Sequence, residues 1–267
     1  MNLNIPTEDE FRGHLKEFFS KADFQVDEVT ENPEEERADL LVYDQSVRVL
    51  LELKIKGEDE FEAAARGTAL ASGGIHRYSE SSLRRNRMSA LIAKGVSQLT
   101  STPLFADFNV LWLHGAGRYA DHHQMRFLST LYGRRALITT ESNTDNLYCY
   151  YFDDSDFFRH RATLVAAVVS CGDKCQLCIN DLNPTADKFR QSSFRALFKD
   201  AYIDPSELES RGEAYMAPPN FPRGDKDAML KAVAAKYNVA KMVDFDPTLY
   251  IAEARVEDWQ QEHGSSG

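Results

Sequence analysis

Arg37-Ala38-Asp39-Leu40-Leu41-Val42-Tyr43, then Asp44-Gln45-Ser46, then Val47-Arg48-Val49-Leu50-Leu51-Glu52-Leu53-Lys54-Ile55 reads as two apolar runs joined by a polar turn. Runs this long, rich in Val and Leu and bounded by turn residues, predict a β-hairpin. By the two-residue period of a strand, Val47, Val49, Leu51, Leu53 and Ile55 share one face, and Arg48, Leu50, Glu52 and Lys54 share the other. A loop of Gln45-Ser46 pairs Asp44 with Val47 and, counting back along both strands, sets Asp39 directly opposite Glu52 on the same face. A three-residue loop would send Asp39 to the other side.

Two carboxylates one strand apart repel each other unless a cation sits between them. Hard divalent ions such as Mg²⁺ take oxygen ligands from one or two carboxylates and leave their remaining positions to water and phosphate. A Lys two residues beyond the ligand Glu can orient the attacking water or stabilise charge in the transition state. Asp39, Glu52 and Lys54 therefore fit metal-assisted phosphodiester hydrolysis. A solvated edge hairpin is the plainer alternative, and the apolar neighbours on both faces of the second strand speak against it.

At these residues the chain resembles the PD-(D/E)xK nuclease superfamily, the restriction-endonuclease-like fold. The family pattern, an acid on one strand and an acid-x-Lys triplet on the next, is matched by Asp39 and by Glu52-Leu53-Lys54, with Ala38 where the family often has Pro. The resemblance covers roughly Thr7 to Thr140. It implies that Asp39, Glu52 and the backbone carbonyl of Leu53 bind Mg²⁺, with Mn²⁺ as a substitute, and that Lys54 serves the water. Family members often add an acid on the preceding helix, for which Glu17 is the candidate and Glu10 the rival, and a Gln on the following helix, for which Gln98 stands. Arg84, Arg87 and Lys94 would track a sugar-phosphate backbone. The implied partner is DNA and the implied activity an endonuclease of restriction, phage defence or repair, acting as a homodimer or within a larger complex. The same resemblance also admits a DNA-binding or assembly subunit without catalysis. Because Lys54 falls on the polar side of its strand, truncating it is expected to cost little stability.

Outward from the hairpin, Thr7 and Glu10 form a capping box before Phe11, Leu15, Phe18, Phe19 and Ala22, which predicts a helix over Thr7–Ala22. Helices are expected at Glu58–Ala71, Leu83–Leu99 and His122–Tyr132, and strands at Phe108–Leu113 and Ala136–Thr140. Further on, Leu147–Phe152, Thr163–Cys171 and Cys175–Asn180 read as strands, and Pro184–Phe198 and Asp225–Tyr237 as helices. The expected architecture is α/β: a restriction-endonuclease-like core over residues 1–145 with a central mixed sheet of four or five strands flanked by helices. Residues 146–267 would add an α+β region that completes the core or packs on it.

Cys171, Cys175 and Cys178, with Cys149 upstream, supply enough thiols for a structural zinc or an iron–sulfur cluster, and make a metal-centred protein the reading from another class. A hairpin turning at Gly172-Asp173 explains the same spacing with the cysteines as small buried residues. Asp153-Asp154-Ser155-Asp156 lacks the Gly and terminal Glu of a calcium loop.

Composition bounds these readings. Across 267 residues, 43% hydrophobic and 27% charged residues can build a packed core. No apolar run approaches a membrane span, and four cysteines are too few for a disulfide framework, so a cytoplasmic protein with no membrane partner is expected. The 31 Lys+Arg against 42 Asp+Glu give a formal net charge of −11, which disfavours nucleic acid over the whole surface. A local basic groove remains open, since Arg77, Arg84, Arg85, Arg87 and Lys94 face only Glu80 within their segment.

Overall fold

Thr7 opens the first helix as its sequence predicts: its side chain accepts from the Glu10 amide while the Glu10 carboxylate accepts from the Thr7 amide. The computed structural model describes residues 5–30, 36–81, 86–139, 147–245 and 249–255. In chain order these form α1 (Glu8–Lys21), β1 (Gln25–Glu28), β2 (Leu40–Tyr43), β3 (Arg48–Lys56), α2 (Glu60–Ala71), β4 (His76–Ser81), α3 (Asn86–Ser101), β5 (Phe108–Gly115), α4 (Ala120–Tyr132), β6 (Arg135–Thr139) and β7 (Leu147–Tyr150). Then follow α5 (Asp156–Arg159), β8 (Ala166–Cys171), β9 (Lys174–Ile179), α6 (Ala186–Arg190), α7 (Ser193–Ala196), β10 (Tyr202–Ile203), α8 (Pro205–Ser210), β11 (Ala214–Met216), α9 (Lys226–Lys236), β12 (Met242–Asp244) and β13 (Leu249–Ala254).

The fold is α/β. Its main sheet has seven strands in the order β1-β2-β3-β5-β8-β9-β10. β1, β2 and β3 are antiparallel, β5 runs parallel to β3 and to β8, and β9 turns back on β8. Four or five strands were expected. β1 carries one apolar residue, Val26, and β10 has only two residues, so neither offers a period-two pattern to read. β6 also departs from expectation: it joins β7, β11 and β12 in a second sheet. Residues beyond 145 thus both complete the main sheet, through β8 to β10, and build most of the second one.

Alternation along the central strands divides the apolar residues into two layers. Leu50, Leu111, Leu113, Ala167 and Val169 face α3 and α4, where Ile92, Val96, Phe127 and Leu131 cover them. Val49, Leu51, Leu53, Val110, Trp112 and Val168 face α1, α6 and α7, which contribute Leu15, Phe19, Phe189 and Phe194. The helix expected over Pro184–Phe198 is two short ones. Ser192 accepts from the Arg195 amide, so it caps a new helix instead of continuing the old one.

Candidate active site

The β2–β3 loop has two residues. Asp44 donates its amide to the Val47 carbonyl at 3.0 Å, and its carboxylate accepts from the amides of Ser46 (2.7 Å) and Val47 (2.9 Å). That aspartate-built turn fixes the register: Tyr43 lies opposite Arg48 and Leu40 opposite Leu51. One step further, Asp39 donates its amide to the Leu51 carbonyl at 3.2 Å. Asp39 and Glu52 are therefore facing residues on one side of the sheet.

Glu52 is completely buried. One of its oxygens, Oε1, accepts from the Lys54 ammonium, the other, Oε2, has no donor among the described residues, and the Asp39 carboxylate lies within hydrogen-bonding reach of Glu52. Burial, then the charge of Asp39, push the Glu52 carboxyl up to about 8 against the opposing pull of Lys54. The Lys54 ammonium also donates to the Leu53 carbonyl at 3.2 Å. Asp39 Oδ2 accepts from the Leu53 amide at 2.7 Å, and Oδ1 from Arg12 Nη2 of α1 at 3.1 Å. Helix α3 closes over this pair at Gly95, where a Cβ would stand 2.7 Å from Leu111 Cδ2 and 3.3 Å from Glu52 Cγ. A side chain there would have to displace the Leu111 methyl and crowd Glu52.

Lys94, one residue before that glycine, is held by Glu36 at 2.8 Å and raised above the ordinary lysine range first by that bond, with smaller contributions from Glu8 and Glu52. It stands beside the pair. Gln98, one turn on, donates to the Arg37 carbonyl at 3.2 Å, and Thr102 Oγ1 accepts from the Ala38 amide at 2.8 Å. α3 thereby positions the segment that leads into Asp39.

Other expected positions lie elsewhere. Glu17 is exposed and bonded to Lys21 at 2.7 Å, and five residues of helix turn it about 140° from Arg12, the residue α1 sends to Asp39. Glu10 is occupied by its cap. Glu8, one turn before Arg12, is the α1 acid whose charge reaches Lys94. Arg87 is exposed and pairs with Asp59 at 2.8 Å. Arg84 lies outside the described residues. Lys54 is buried, which corrects the expectation that truncating it is nearly free: its ammonium offsets the charge of a fully buried acid. Arg12 and Thr102 were not singled out by sequence. Neither belongs to a motif, and only the fold brings them next to residues 27 and 64 positions away.

Cys149 lies buried in β7 of the second sheet, and the other three cysteines belong to a second hairpin, β8–β9, with Cys171 opposite Lys174 and Gly172 in the left-handed region at φ 53°. Cys178 packs into the layer beneath α3 and α4, while Cys175 packs into the layer beneath α1. Cys171 lies about four residues of strand from Cys178, roughly 13 Å. Burial is the first cause that pushes Cys171 up to about 11 and Cys175 and Cys178 up to about 12. The spacing that suggested a zinc or iron–sulfur centre is the spacing of a tight turn.

Comparison with protein-family models, with curated proteins and with solved structures finds no match to this chain.

Proposed function

We propose that this protein is a divalent-metal-dependent nuclease of the PD-(D/E)xK kind, with Asp39, Glu52 and Lys54 as its catalytic set and DNA as its substrate. The observation that carries the reading is Glu52. A fully buried carboxylate facing a second acid, with one oxygen lacking a donor, is a costly arrangement that a cation would relieve. The strand order supports it, since an antiparallel β1–β2–β3 meander followed by a parallel β5 presents both acids from adjacent strands.

The donor set suits Mg²⁺ or Mn²⁺. Asp39, Glu52 and the Leu53 carbonyl are all hard oxygen ligands, and the Lys54 ammonium now contacts two of them, Glu52 Oε1 and Leu53 O. When bound, the ion would polarise a phosphodiester oxygen and lower the pKa of a water. The chain's own contributions follow from its geometry. Asp39 is oriented by the Leu53 amide and by Arg12, and Glu52 is held under α3. The Lys54 ammonium, on a stem packed beneath Gly95, supplies a positive charge that can orient water and stabilise charge accumulating on phosphate oxygens. Lys94 is placed to contact a phosphate next to the scissile one.

The test is cleavage of supercoiled plasmid, linear duplex and single-stranded DNA in Mg²⁺, in Mn²⁺ and in EDTA, with Glu52→Gln alongside. Metal-dependent cutting that is lost in Glu52→Gln is the expected result. Cutting that survives the substitution removes the site assignment. Binding without cutting by the wild type would leave the DNA-binding or assembly subunit as the better reading.

A further inference from the structure

Lys56 ends β3 two residues beyond Lys54, about 7 Å along the same face. There it lines a cleft of about 550 Å³ between α2, β4 and α4. The floor is the second turn of α4. His123 is 4% exposed, and neither ring nitrogen has a hydrogen bond of normal geometry among the described residues, although the Gly57 backbone is close. Burial, then the charges of Lys56, His122 and Arg126, push this imidazole down to about 3, so it stays neutral.

The walls are stiff and aromatic. Tyr78 and Tyr119 stack with centroids 4.3 Å apart and planes 15° apart, and Arg66 ties Tyr119 to Glu58. At the rim, Phe61 is 88% exposed, more than any other large apolar side chain among the described residues. The acids of the lining have partners: Glu58 bonds Arg66, Asp59 bonds Arg87, and Glu62 lies 3.7 Å from His76 Nε2. An aromatic rim above a floor that carries Lys56 and Arg126 is an arrangement that can hold a base by its face and a backbone by its phosphates.

We infer that this cleft is a nucleotide subsite of the active centre and that it selects single-stranded DNA, or an unpaired end, over closed duplex, with a base stacked on Phe61 and its phosphate directed to Lys56 and Arg126. The inference rests on the nuclease reading for the strand's path past Lys54. Its own support is the depth of the cleft. A base paired inside a duplex presents neither a free face to Phe61 nor a free edge to a floor as buried as His123. The volume is that of a pocket enclosing one small ligand, which an extruded nucleotide fills and a double helix does not enter.

The experiment is fluorescence anisotropy in EDTA, where turnover plays no part, with a labelled twelve-nucleotide oligothymidylate and a labelled blunt DNA hairpin whose loop is a non-nucleotide linker, so that every base is paired. Wild type, Phe61→Ala and Phe61→Trp are compared. Phe61 is exposed, so neither substitution threatens the fold. Wild type should bind the oligothymidylate more tightly than the hairpin. Phe61→Ala should weaken the oligothymidylate by at least about fivefold, from the usual strength of a base–aromatic stack, and Phe61→Trp should restore it. Hairpin binding should be the same for all three. Equal oligothymidylate binding by wild type and Phe61→Ala, a wild-type preference for the hairpin, or no oligothymidylate binding would each overturn the inference. A protein that cuts DNA but binds without regard to Phe61 loses the cleft and keeps the nuclease. One that never cuts but needs Phe61 to bind keeps the cleft and loses the nuclease.

Discussion

The β2–β3 and β8–β9 hairpins share a construction: two antiparallel strands, a two-residue loop, and chemically active side chains spaced through both arms. In β2–β3 the register brings Asp39 and Glu52 face to face and puts Lys54 on the same side, so polar groups distant in sequence meet. In β8–β9 the same period-two rule sends Cys175 and Cys178 to opposite faces, so thiols close in sequence part company. Three residues of separation mean one thing on a helix or in a metal-binding loop and the reverse on a strand. A cluster of reactive residue types is thus evidence of a site only after the register has been worked out.

The largest expected difference between the hairpins is catalytic. Lys54→Met keeps the buried stem and removes the ammonium, so cleavage in a plasmid-nicking assay should fall two to three orders of magnitude, about 3–4 kcal/mol of transition-state stabilisation. Cys178→Ala should leave the nicking rate unchanged. Alanine is a poorer choice at Lys54, because it would also open a cavity beside Glu52.

Next comes the pH dependence of stability. Glu52 titrates near 8 when folded and near 4.5 when exposed, so the folded state holds an extra proton between those values. Its contribution is fully present below about pH 4.5 and is lost as pH rises toward and through 8. The melting temperature of the ion-free protein should therefore fall over that window, by the equivalent of at most about 5 kcal/mol, and Glu52→Gln should flatten the curve. Identical slopes for wild type and Glu52→Gln would mean that the carboxyl is not held as described.

Packing gives the smaller effects. Gly95→Ala places a methyl against Leu111 and Glu52 and should destabilise the protein in urea by about 2 kcal/mol. Cys178→Ala, in the other hairpin, should cost about 1 kcal/mol, as expected for a buried sulfur replaced without a lost ion. A loss several times larger, accompanied by released zinc, would restore the metal reading of the cysteines.

Local signals made much of this molecule legible. Thr7 and Glu10 announced α1, the Asp44 turn and the Val and Leu runs announced β2–β3, and Gly172-Asp173 announced β8–β9. What sequence could not supply was long-range. β1 and β10 exist because neighbouring strands offer them hydrogen bonds, not because their residues alternate. The place of β6 in a second sheet depends on β12, more than a hundred residues later. Within the site, the acids and Lys54 could be read from one hairpin, whereas Arg12 and Glu8 come from α1 and Thr102 from the residue after α3, segments that the fold alone sets beside it. Glu17 was a choice of helix face made without knowing which flank of α1 meets β2, and it falls on the other flank.

The claim on which the rest depends is that Asp39 and Glu52 hold one divalent ion between adjacent strands. Titration of the purified protein with Mn²⁺, followed by the loss of the free-ion paramagnetic resonance signal at pH 8, measures this directly. The account predicts one ion per chain for wild type and for Glu17→Gln, and its loss in both Asp39→Asn and Glu52→Gln. Unchanged Mn²⁺ binding in the two site variants would contradict it.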